Sequence, residues 1–311
     1  MNATPRGLRT VAVAASGGRD STALLHAAVR QGQALGVDVW ALHVHHGLMS
    51  NADAWQDHVR RQARRFGAAF ACERLQGAPA RGDSVEAWAR KGRYAALARM
   101  AKVAGIDLVL LAQHRRDQAE TFLIQALRGG GAAGLAAMPA VVQREGITWA
   151  RPWLACSRES IDAYLRRHRL SYIDDPSNAD TRFARGRLRA LWPTLSEAFA
   201  DAETTLSRAA QRAAADAAVV ADAAAADLAA LEAVGRPLPV ARLLLLSPAR
   251  QAAALRAWLG AMLMLPVPET LVRRLLEELP GRLHARWQAD GQDLVLKRGL
   301  LAPEPAARRR P

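Results

Sequence analysis

The first half of the chain alternates short apolar runs with segments of helical periodicity. The runs at 10–15, 37–44 and 108–112 are rich in valine, alanine and leucine, which is typical of buried parallel strands. A further strand is predicted at 68–73. Apolar positions at helical spacing predict helices at 20–29, 55–66, 83–104 (capped by Asp83 and Ser84) and 117–128. This alternation predicts an α/β fold with a Rossmann-like parallel sheet covered on both faces.

The second half has a different composition and predicts a smaller, mainly helical C-terminal domain. Residues 197–232 are alanine-rich and almost free of glycine, so they favour one or two helices. Helical spacing returns at 243–263 and 268–279, and strand-like segments lie at 284–288 and 293–297. The proline- and arginine-rich segment 303–311 is predicted to be a disordered tail. We therefore expect domains at 1–200 and 201–302, followed by that tail.

Composition limits the classes of protein to consider. The 311 residues suffice for two cores, no apolar run could span a bilayer, and residues 1–10 lack a signal segment, so a cytoplasmic enzyme is expected. Cys72 and Cys156 form no Cys-x-x-Cys pair, which argues against disulfide, zinc and iron–sulfur sites. The net charge of +14 favours a polyanionic partner, although a generally arginine-rich composition also explains it.

The segment 16–21, Ser-Gly-Gly-Arg-Asp-Ser, directly follows the first predicted strand and opens a helix. Two glycines let the backbone approach an anion, and the free N–H groups of a helix N-terminus point toward it. No Gly-Lys-Ser/Thr follows, so the segment is not a Walker A loop. A tight turn without a ligand is the alternative. The predicted phosphate-binding residues are Ser16, Gly17, Gly18, Arg19, Asp20 and Ser21.

Other candidate side chains lie where predicted strands end. The histidines at 43–46 follow the second strand, and His114 follows the strand at 108–112. Ligands of parallel sheets bind at the carboxyl ends of the strands, so these residues are expected near the Gly-Gly turn. The segment 129–134 fits the Rossmann glycine pattern, but it follows a helix and is interpreted as a glycine-rich loop.

The hexapeptide 16–21 resembles the PP-loop of the ATP pyrophosphatases, which cleave ATP between its α and β phosphates. Further segments between residues 10 and 192 resemble the tRNA(Ile)-lysidine synthetases, in that family's order. Four of them are His-Val-His-His-Gly-Leu at 43–48, Glu-Ala-Trp-Ala-Arg-Lys-Gly-Arg-Tyr at 86–94, His-Arg-Arg-Asp-Gln-Ala-Glu-Thr at 114–121 and Arg-Gly-Gly-Gly-Ala-Ala-Gly-Leu at 128–135. The segment Arg-Pro-Trp-Leu at 151–154 resembles a strand of the family. The last two are Asp-Asp-Pro-Ser-Asn at 174–178 and Arg-Phe-Ala-Arg-Gly-Arg-Leu-Arg at 182–189.

Three positions depart from the family pattern. His45 and Gly186 each replace an asparagine, and Arg116 replaces the first of two aspartates, which removes one candidate magnesium ligand. The chain is also expected to be a short form, without the additional C-terminal domain of some members.

The resemblance implies an ATP-dependent ligase, a carbon–nitrogen ligase of tRNA processing. The wobble cytidine of a CAU-anticodon isoleucine tRNA would be adenylated, and the ε-amine of free L-lysine would displace AMP to form lysidine, changing the codon and amino-acid identity of the tRNA. The implied cofactors are ATP and Mg²⁺, the small domain would face the tRNA, and no membrane partner is implied. The oligomeric state stays open, with a homodimer as one alternative.

Roles for individual residues follow from the same resemblance. Asp20 and Asp117 would hold magnesium, and Arg90 and Arg93 would hold phosphate or substrate unless they form a solvated helix face. His114 or a nearby carboxylate would accept the proton of lysine, so the general base stays unassigned. The predicted tRNA contacts, with surface charges or salt bridges as alternatives, are Arg182, Arg185, Arg187 and Arg189.

Three other functions are considered. A PP-loop tRNA thiolase also adenylates a base carbonyl, but it uses cysteines for sulfur transfer or for a cluster, and this chain has no such pair. A glutamine-dependent amidating ligase would need a nucleophilic cysteine domain or a partner protein. A non-catalytic RNA-binding protein on a PP-loop fold is favoured by Arg116 and opposed by the intact motifs at 16–21 and 117–121.

Overall fold

The chain folds into two compact units, 1–213 and 214–311. The computed structural model describes residues 9–45, 47, 52–77, 85–174, 180–264, 267–289 and 292–305. The predicted cap of Asp83 and Ser84, most of the motif at 174–178 and the last part of the predicted tail lie outside these residues.

The first unit contains a six-stranded sheet of order β3-β2-β1-β4-β6-β5. All neighbours in it are parallel except β5 and β6, which form an antiparallel hairpin. The strands are β1 (Thr10–Ala14), β2 (Asp38–His45), β3 (Ala69–Arg74), β4 (Leu108–Leu110), β5 (Val141–Arg144) and β6 (Ile147–Ala150). The helices are α1 (Arg19–Leu35), α2 (Ala52–Phe66), α3 (Val85–Val103), α4 (Arg115–Leu127), α5 (Ala132–Leu135), α6 (Arg158–His168), α7 (Ala184–Ala198) and α8 (Ala202–Ala230), which continues into the second unit.

The central strand β1 explains why both faces of the sheet are covered. Val11 and Val13 point to one face and pack with apolar residues of α1 and α2. Ala12, on the other face, packs with residues of α3 and β4. Because alternate side chains of a strand point to opposite faces, a continuous apolar run requires helices on both sides. The predicted Rossmann-like α/β sheet is confirmed.

The second unit combines helices with a small antiparallel sheet of order β7-β10-β9-β8. Trp258, Leu275 and Leu294 are almost completely buried in its core. Its elements after α8 are β7 (Leu238–Pro239), α9 (Val240–Leu243), α10 (Pro248–Leu263), α11 (Glu269–Glu278), β8 (His284–Ala289), β9 (Gln292–Lys297) and β10 (Leu300–Pro305).

Three local predictions differ from the structure. Residues 303–305 are not part of a disordered tail, because they extend β10 and pair with β9. Both prolines of β10 lie beyond Leu301, where the pairing with β7 ends, so their missing N–H groups need no partner on that edge. Within the predicted glycine-rich loop, Ala132–Leu135 form the short helix α5. Strand β6 ends at Ala150 and residues 152–155 form turns, so 151–154 is not a strand.

No helix in the described part of the chain combines the length and the apolar character needed to cross a membrane.

Candidate active site

The phosphate loop is the turn between β1 and α1. Gly17 has a φ of 85°, in the left-handed region, and a Cβ there would lie 2.9 Å from Cγ2 of Val59. The hydroxyls of Ser16 and Ser21 are 3.0 Å apart, and Ser21 Oγ donates to the carbonyl of Gly18 at 3.1 Å. The loop thus requires glycine at position 17 for both conformation and space.

The N-terminus of α1 is suited to an anion. Gly18 is its N-cap, with extended backbone (φ −74°, ψ 169°), and no side chain caps the helix. The first N–H groups of an α-helix have no partner within the helix, and the helix dipole favours negative charge there. A phosphate group at this end of the sheet would satisfy those donors.

His114 connects the phosphate loop to α4. Its Nε2 lies 3.8 Å from Oδ2 of Asp20 and 3.6 Å from Oδ2 of Asp117. The same histidine is the N-cap of α4, where Nδ1 accepts from the backbone N–H of Arg116 at 3.3 Å. Asp117 Oδ2 in turn accepts from the backbone N–H of His114 at 3.1 Å. A neutral ring that accepts at Nδ1 carries its proton on Nε2, so His114 presents a donor to the two carboxylates.

Burial raises the pKa of Asp20 above its usual range, and the nearby carboxylate of Asp117 raises it further, while His114 and Arg19 oppose both effects. Its Oδ1 is buried without a hydrogen-bond partner. An orphaned carboxylate oxygen beside a second carboxylate fits a magnesium ion, which binds few protein carboxylates and takes its other oxygens from phosphate and water. Among the described residues, no group of three or more histidine, cysteine, aspartate or glutamate side chains could hold a metal. Magnesium binding by Asp20 and Asp117 stays a prediction.

Glu120, one turn after Asp117, is a site residue that the sequence analysis did not single out. Its side chain is buried, and Arg189 Nε donates to its Oε1 at 3.0 Å while Arg185 Nε lies 3.3 Å from its Oε2. Burial raises the pKa of Glu120, and Arg189 opposes the shift. Arg189 also lies 3.4 Å from Asp117 Oδ1, so it touches both carboxylates. The spacing of three residues between Asp117 and Glu120 was the available signal, since it places both on one helix face.

Arg19 and Arg158 add positive charge beside the phosphate loop. Arg19 lies 3.4 Å from Asp162 on α6 and 3.7 Å from Asp20. Burial lowers the pKa of Arg158, and the positive charges of Arg19 and Arg116 lower it further. Arg158 and Asp162 lie outside the segments quoted for the family resemblance, so no motif pointed to them.

Two of the residues that depart from the family pattern, Arg116 and His45, contact other side chains of the chain. Nε of Arg116 donates to Oε2 of Glu203 at 3.0 Å, and its guanidinium lies 5.0 Å from the ring centre of Trp192. His45 Nε2 lies 2.9 Å from Oδ1 of Asp53 at the end of β2. Glu203 thus holds Arg116 in place, and Asp53 holds His45.

The remaining predicted residues lie at the surface. Arg90 and Arg93 are exposed on α3, and the Arg90 guanidinium lies 5.6 Å from the ring centre of Tyr94. Arg182 and Arg187 are exposed near the start of α7, where Arg182 pairs with Asp180 and Arg187 donates to the carbonyl of Arg182 at 2.9 Å. Arg185 also donates to Oγ1 of Thr121 at 2.8 Å. The predicted contacts of these arginines with substrate stay predictions.

Comparison with known proteins places the chain in a family. Residues 2–195 match the PP-loop domain family. The tRNA(Ile)-lysidine synthase of Bordetella pertussis is 38% identical to the chain over 302 residues, which cover 93% of the chain and 94% of that protein. The chain belongs to the tRNA(Ile)-lysidine synthase family. The synthases of Ralstonia nicotianae and Burkholderia pseudomallei are 45% and 44% identical, and the chain spans 62% and 54% of their lengths.

The fold also resembles a solved structure of another activity. The U34-tRNA thiolase NcsA from Methanococcus maripaludis, solved with its [4Fe-4S] cluster, aligns with a TM-score of 0.58 at 14% identity, covering 66% of this chain and 71% of that one. At that identity the likeness concerns the fold alone.

Proposed function

We propose that the protein is an ATP-dependent ligase that joins lysine to the wobble cytidine of CAU-anticodon isoleucine tRNA. The observation that carries this proposal is the phosphate loop at the uncapped N-terminus of α1, with Asp20 facing His114 and Asp117, in a chain whose relatives are named tRNA(Ile)-lysidine synthase. Adenylation of the cytidine carbonyl oxygen releases pyrophosphate, and attack by lysine then releases AMP. The ligase works in the cytoplasm, where free lysine, ATP and tRNA occur together.

The phosphate loop binds and orients the triphosphate of ATP. Backbone N–H groups at the start of α1 and the hydroxyls of Ser16 and Ser21 donate to phosphate oxygens. Arg19 and Arg158 lie in reach of the same region and would neutralise charge that builds up on the leaving pyrophosphate. Asp20 and Asp117 would hold magnesium, which would supply further charge neutralisation at the phosphates.

The general base is not His114 in this proposal. Lysine must lose a proton before it can attack, because its ordinary pKa is about 10.4. His114 carries its own proton on Nε2 in the neutral tautomer described above, so it is poorly placed to accept one there. His114 would instead hold the side chains of Asp20 and Asp117, the residues assigned to magnesium, in position.

The arginines of 182–189 divide into two groups in this proposal. Arg182 and Arg187 are exposed, and they would contact tRNA phosphates. Arg185 and Arg189 form ion pairs with Glu120, next to Asp117. They would therefore position this part of the site and would contact RNA only at the edge of the site. Arg90 and Arg93 are exposed one turn apart on α3, and there they would hold phosphate or another part of the substrate. The domain 201–302 would add further tRNA contacts.

The test is direct. Purified protein is incubated with ATP, Mg²⁺, labelled lysine and CAU-anticodon isoleucine tRNA, and the nucleosides are analysed by mass spectrometry. We expect lysidine only when ATP and lysine are both present, and none with D20N. Adenylated tRNA without lysidine would refute lysine as the nucleophile. Tight tRNA binding with neither product would refute the ligase and favour a non-catalytic RNA-binding protein.

A further inference from the structure

A basic cleft lies between α1 and α6, away from the active site. It has a volume of about 270 Å³ and is lined by Ala27, Arg30, Gln31, Tyr164, Arg167 and His168. Arg30 is ten residues beyond Asp20 on α1, which corresponds to about 15 Å along the helix axis. The cleft is therefore separate from the phosphate loop.

The Tyr164 and His168 rings of this basic cleft contact each other and the His26 ring. His26 Nδ1 lies 2.9 Å from the Tyr164 hydroxyl, and the His168 ring centre is 4.4 Å from that of Tyr164 and 4.9 Å from that of His26. Arg30 Nη1 lies 3.4 Å from both ring nitrogens of His168. The wall is thus pre-organised, and it holds two guanidinium groups, Arg30 and Arg167, at its edge.

None of the described residues that line the cleft is acidic. Burial lowers the pKa of His26 and of His168, and the adjacent arginines lower both further. The carboxylates of the surrounding helices lie in their N-terminal halves, and four of them are paired there: Asp20 and Asp162 with Arg19, Asp53 with Arg74 and Asp57 with Arg60. The C-terminal halves of α1, α2 and α6 carry only basic charged side chains: Arg30, Arg60, Arg61, Arg64, Arg65, Arg166, Arg167 and His168.

Helix dipoles account for some of this distribution, because cations are favourable near helix C-termini. They do not account for two guanidinium groups, Arg30 and Arg167, lining one concave site together with the imidazole ring of His168. Arginine without a carboxylate partner matches phosphate oxygens with two parallel hydrogen bonds. A net charge of +14 makes a polyanion the fitting occupant.

We propose that the basic cleft binds the phosphodiester backbone of the tRNA substrate, outside the region that enters the active site. Arg30 and Arg167 contact phosphate oxygens, and the Tyr164 and His168 rings form the wall behind them. The surface adds affinity and orientation without touching the reacting base. This inference rests on the proposed function for the identity of the RNA.

The experiment compares tRNA binding by wild type, the double variant R30Q/R167Q and the control variant R128Q/R144Q. Arg128 and Arg144 are exposed arginines at the end of α4 and in β5, so the control loses the same charge elsewhere. Dissociation constants are measured between about 50 and 200 mM salt. For R30Q/R167Q we expect about tenfold weaker binding, and a slope of log K against log salt smaller by about 1.5. A decrease of the same size in the control would overturn the proposal, because it would reflect net charge alone.

A second measurement follows the ring resonances of His26 and His168 by NMR while tRNA or inorganic phosphate is added. We expect tRNA to shift both rings at micromolar concentration. Shifts with phosphate alone, or none with tRNA, would overturn the proposal. The lysidine assay keeps the two proposals apart: if wild type makes lysidine and R30Q/R167Q binds normally, only the cleft proposal fails. If wild type binds tRNA through the cleft but makes no lysidine, only the ligase proposal fails.

Discussion

Nε of Arg116 donates to Oε2 of Glu203 across 3.0 Å, while Nε of Arg115 donates to Oε1 of the same carboxylate at 2.9 Å. The Glu203 side chain is only 12% exposed. Arg116 stands where the resembling family has an aspartate, so this chain has replaced a candidate metal ligand with an ion pair. That pair connects the start of α4, which carries His114 and Asp117, to the start of α8.

Restoring aspartate at position 116 is therefore expected to weaken the protein. R116D places a carboxylate beside Glu203, and we expect the free energy of unfolding to fall by about 2–4 kcal/mol. The double variant R116D/E203Q should recover part of that loss, since it removes the like charge. Urea denaturation of wild type and both variants measures this. If R116D is as stable as wild type and more active, Arg116 lowers the activity of the site and is not needed for stability.

Arg189 is expected to matter for stability as well as for the site. It is the closest cationic partner of Glu120, whose side chain is 1% exposed, so R189Q leaves a buried carboxylate with Arg185 alone. We expect a loss of about 2–4 kcal/mol in the free energy of unfolding. The matched control is R187Q, because Arg187 is exposed on the same helix and should cost under about 0.5 kcal/mol. Equal losses in both variants would contradict the assignment.

The sequence predicts the first unit far better than the details of its site. Apolar runs and glycine turns are local signals, so β1, β2, α1 and the phosphate loop follow from them. The β5–β6 hairpin was missed because its strands are short and lie among polar residues. The pairing of Arg116 with Glu203 joins residues far apart in the chain, and no spacing rule reveals it. Tertiary contacts of this kind explain why Arg158 was found only in the structure, whereas the spacing of three residues from Asp117 was a local signal for Glu120.

Gly17 and Gly36 form a matched pair for testing the phosphate loop. Both have positive φ, 85° and 66°, but a Cβ at Gly17 would meet Val59 Cγ2 at 2.9 Å, whereas nothing lies within 4 Å at Gly36. We expect G36A to cost about 1 kcal/mol of stability, and G17A to cost about 1–3 kcal/mol more and to weaken ATP binding. The variant G17A/V59A should regain part of the difference. Thermal unfolding and nucleotide titration measure both effects, and equal costs at the two positions would rule out the steric role of Val59.

Asp20 should give the protein a distinct pH dependence. Because burial raises its pKa above 3.8 in the folded state, the folded protein retains a proton that the unfolded chain releases. The free energy of unfolding contributed by Asp20 therefore falls as pH rises from 3.8 through the raised pKa, and D20N should lack this decrease. Pyrophosphate release should decline as pH falls through the same raised pKa, since metal binding needs the carboxylate ionised. D38N is the control, because Asp38 is exposed at the start of β2. A stability difference between wild type and D20N that does not change with pH would contradict the raised pKa.

Gly186 tests whether the third departure is required by this fold. It lies in the first turn of α7, and a Cβ there would collide with the backbone carbonyl of Asp180. We therefore expect G186A, and also G186N with the residue of the resembling family, to lower the free energy of unfolding by about 2 kcal/mol or more. Gly260 in α10 is the control, because its nearest neighbour is 3.9 Å away. G260A should raise stability by about 0.5–1 kcal/mol, since alanine is the better helix former. If G186N is as stable as wild type, the backbone at Asp180 must move to accept the side chain, and glycine is not required there.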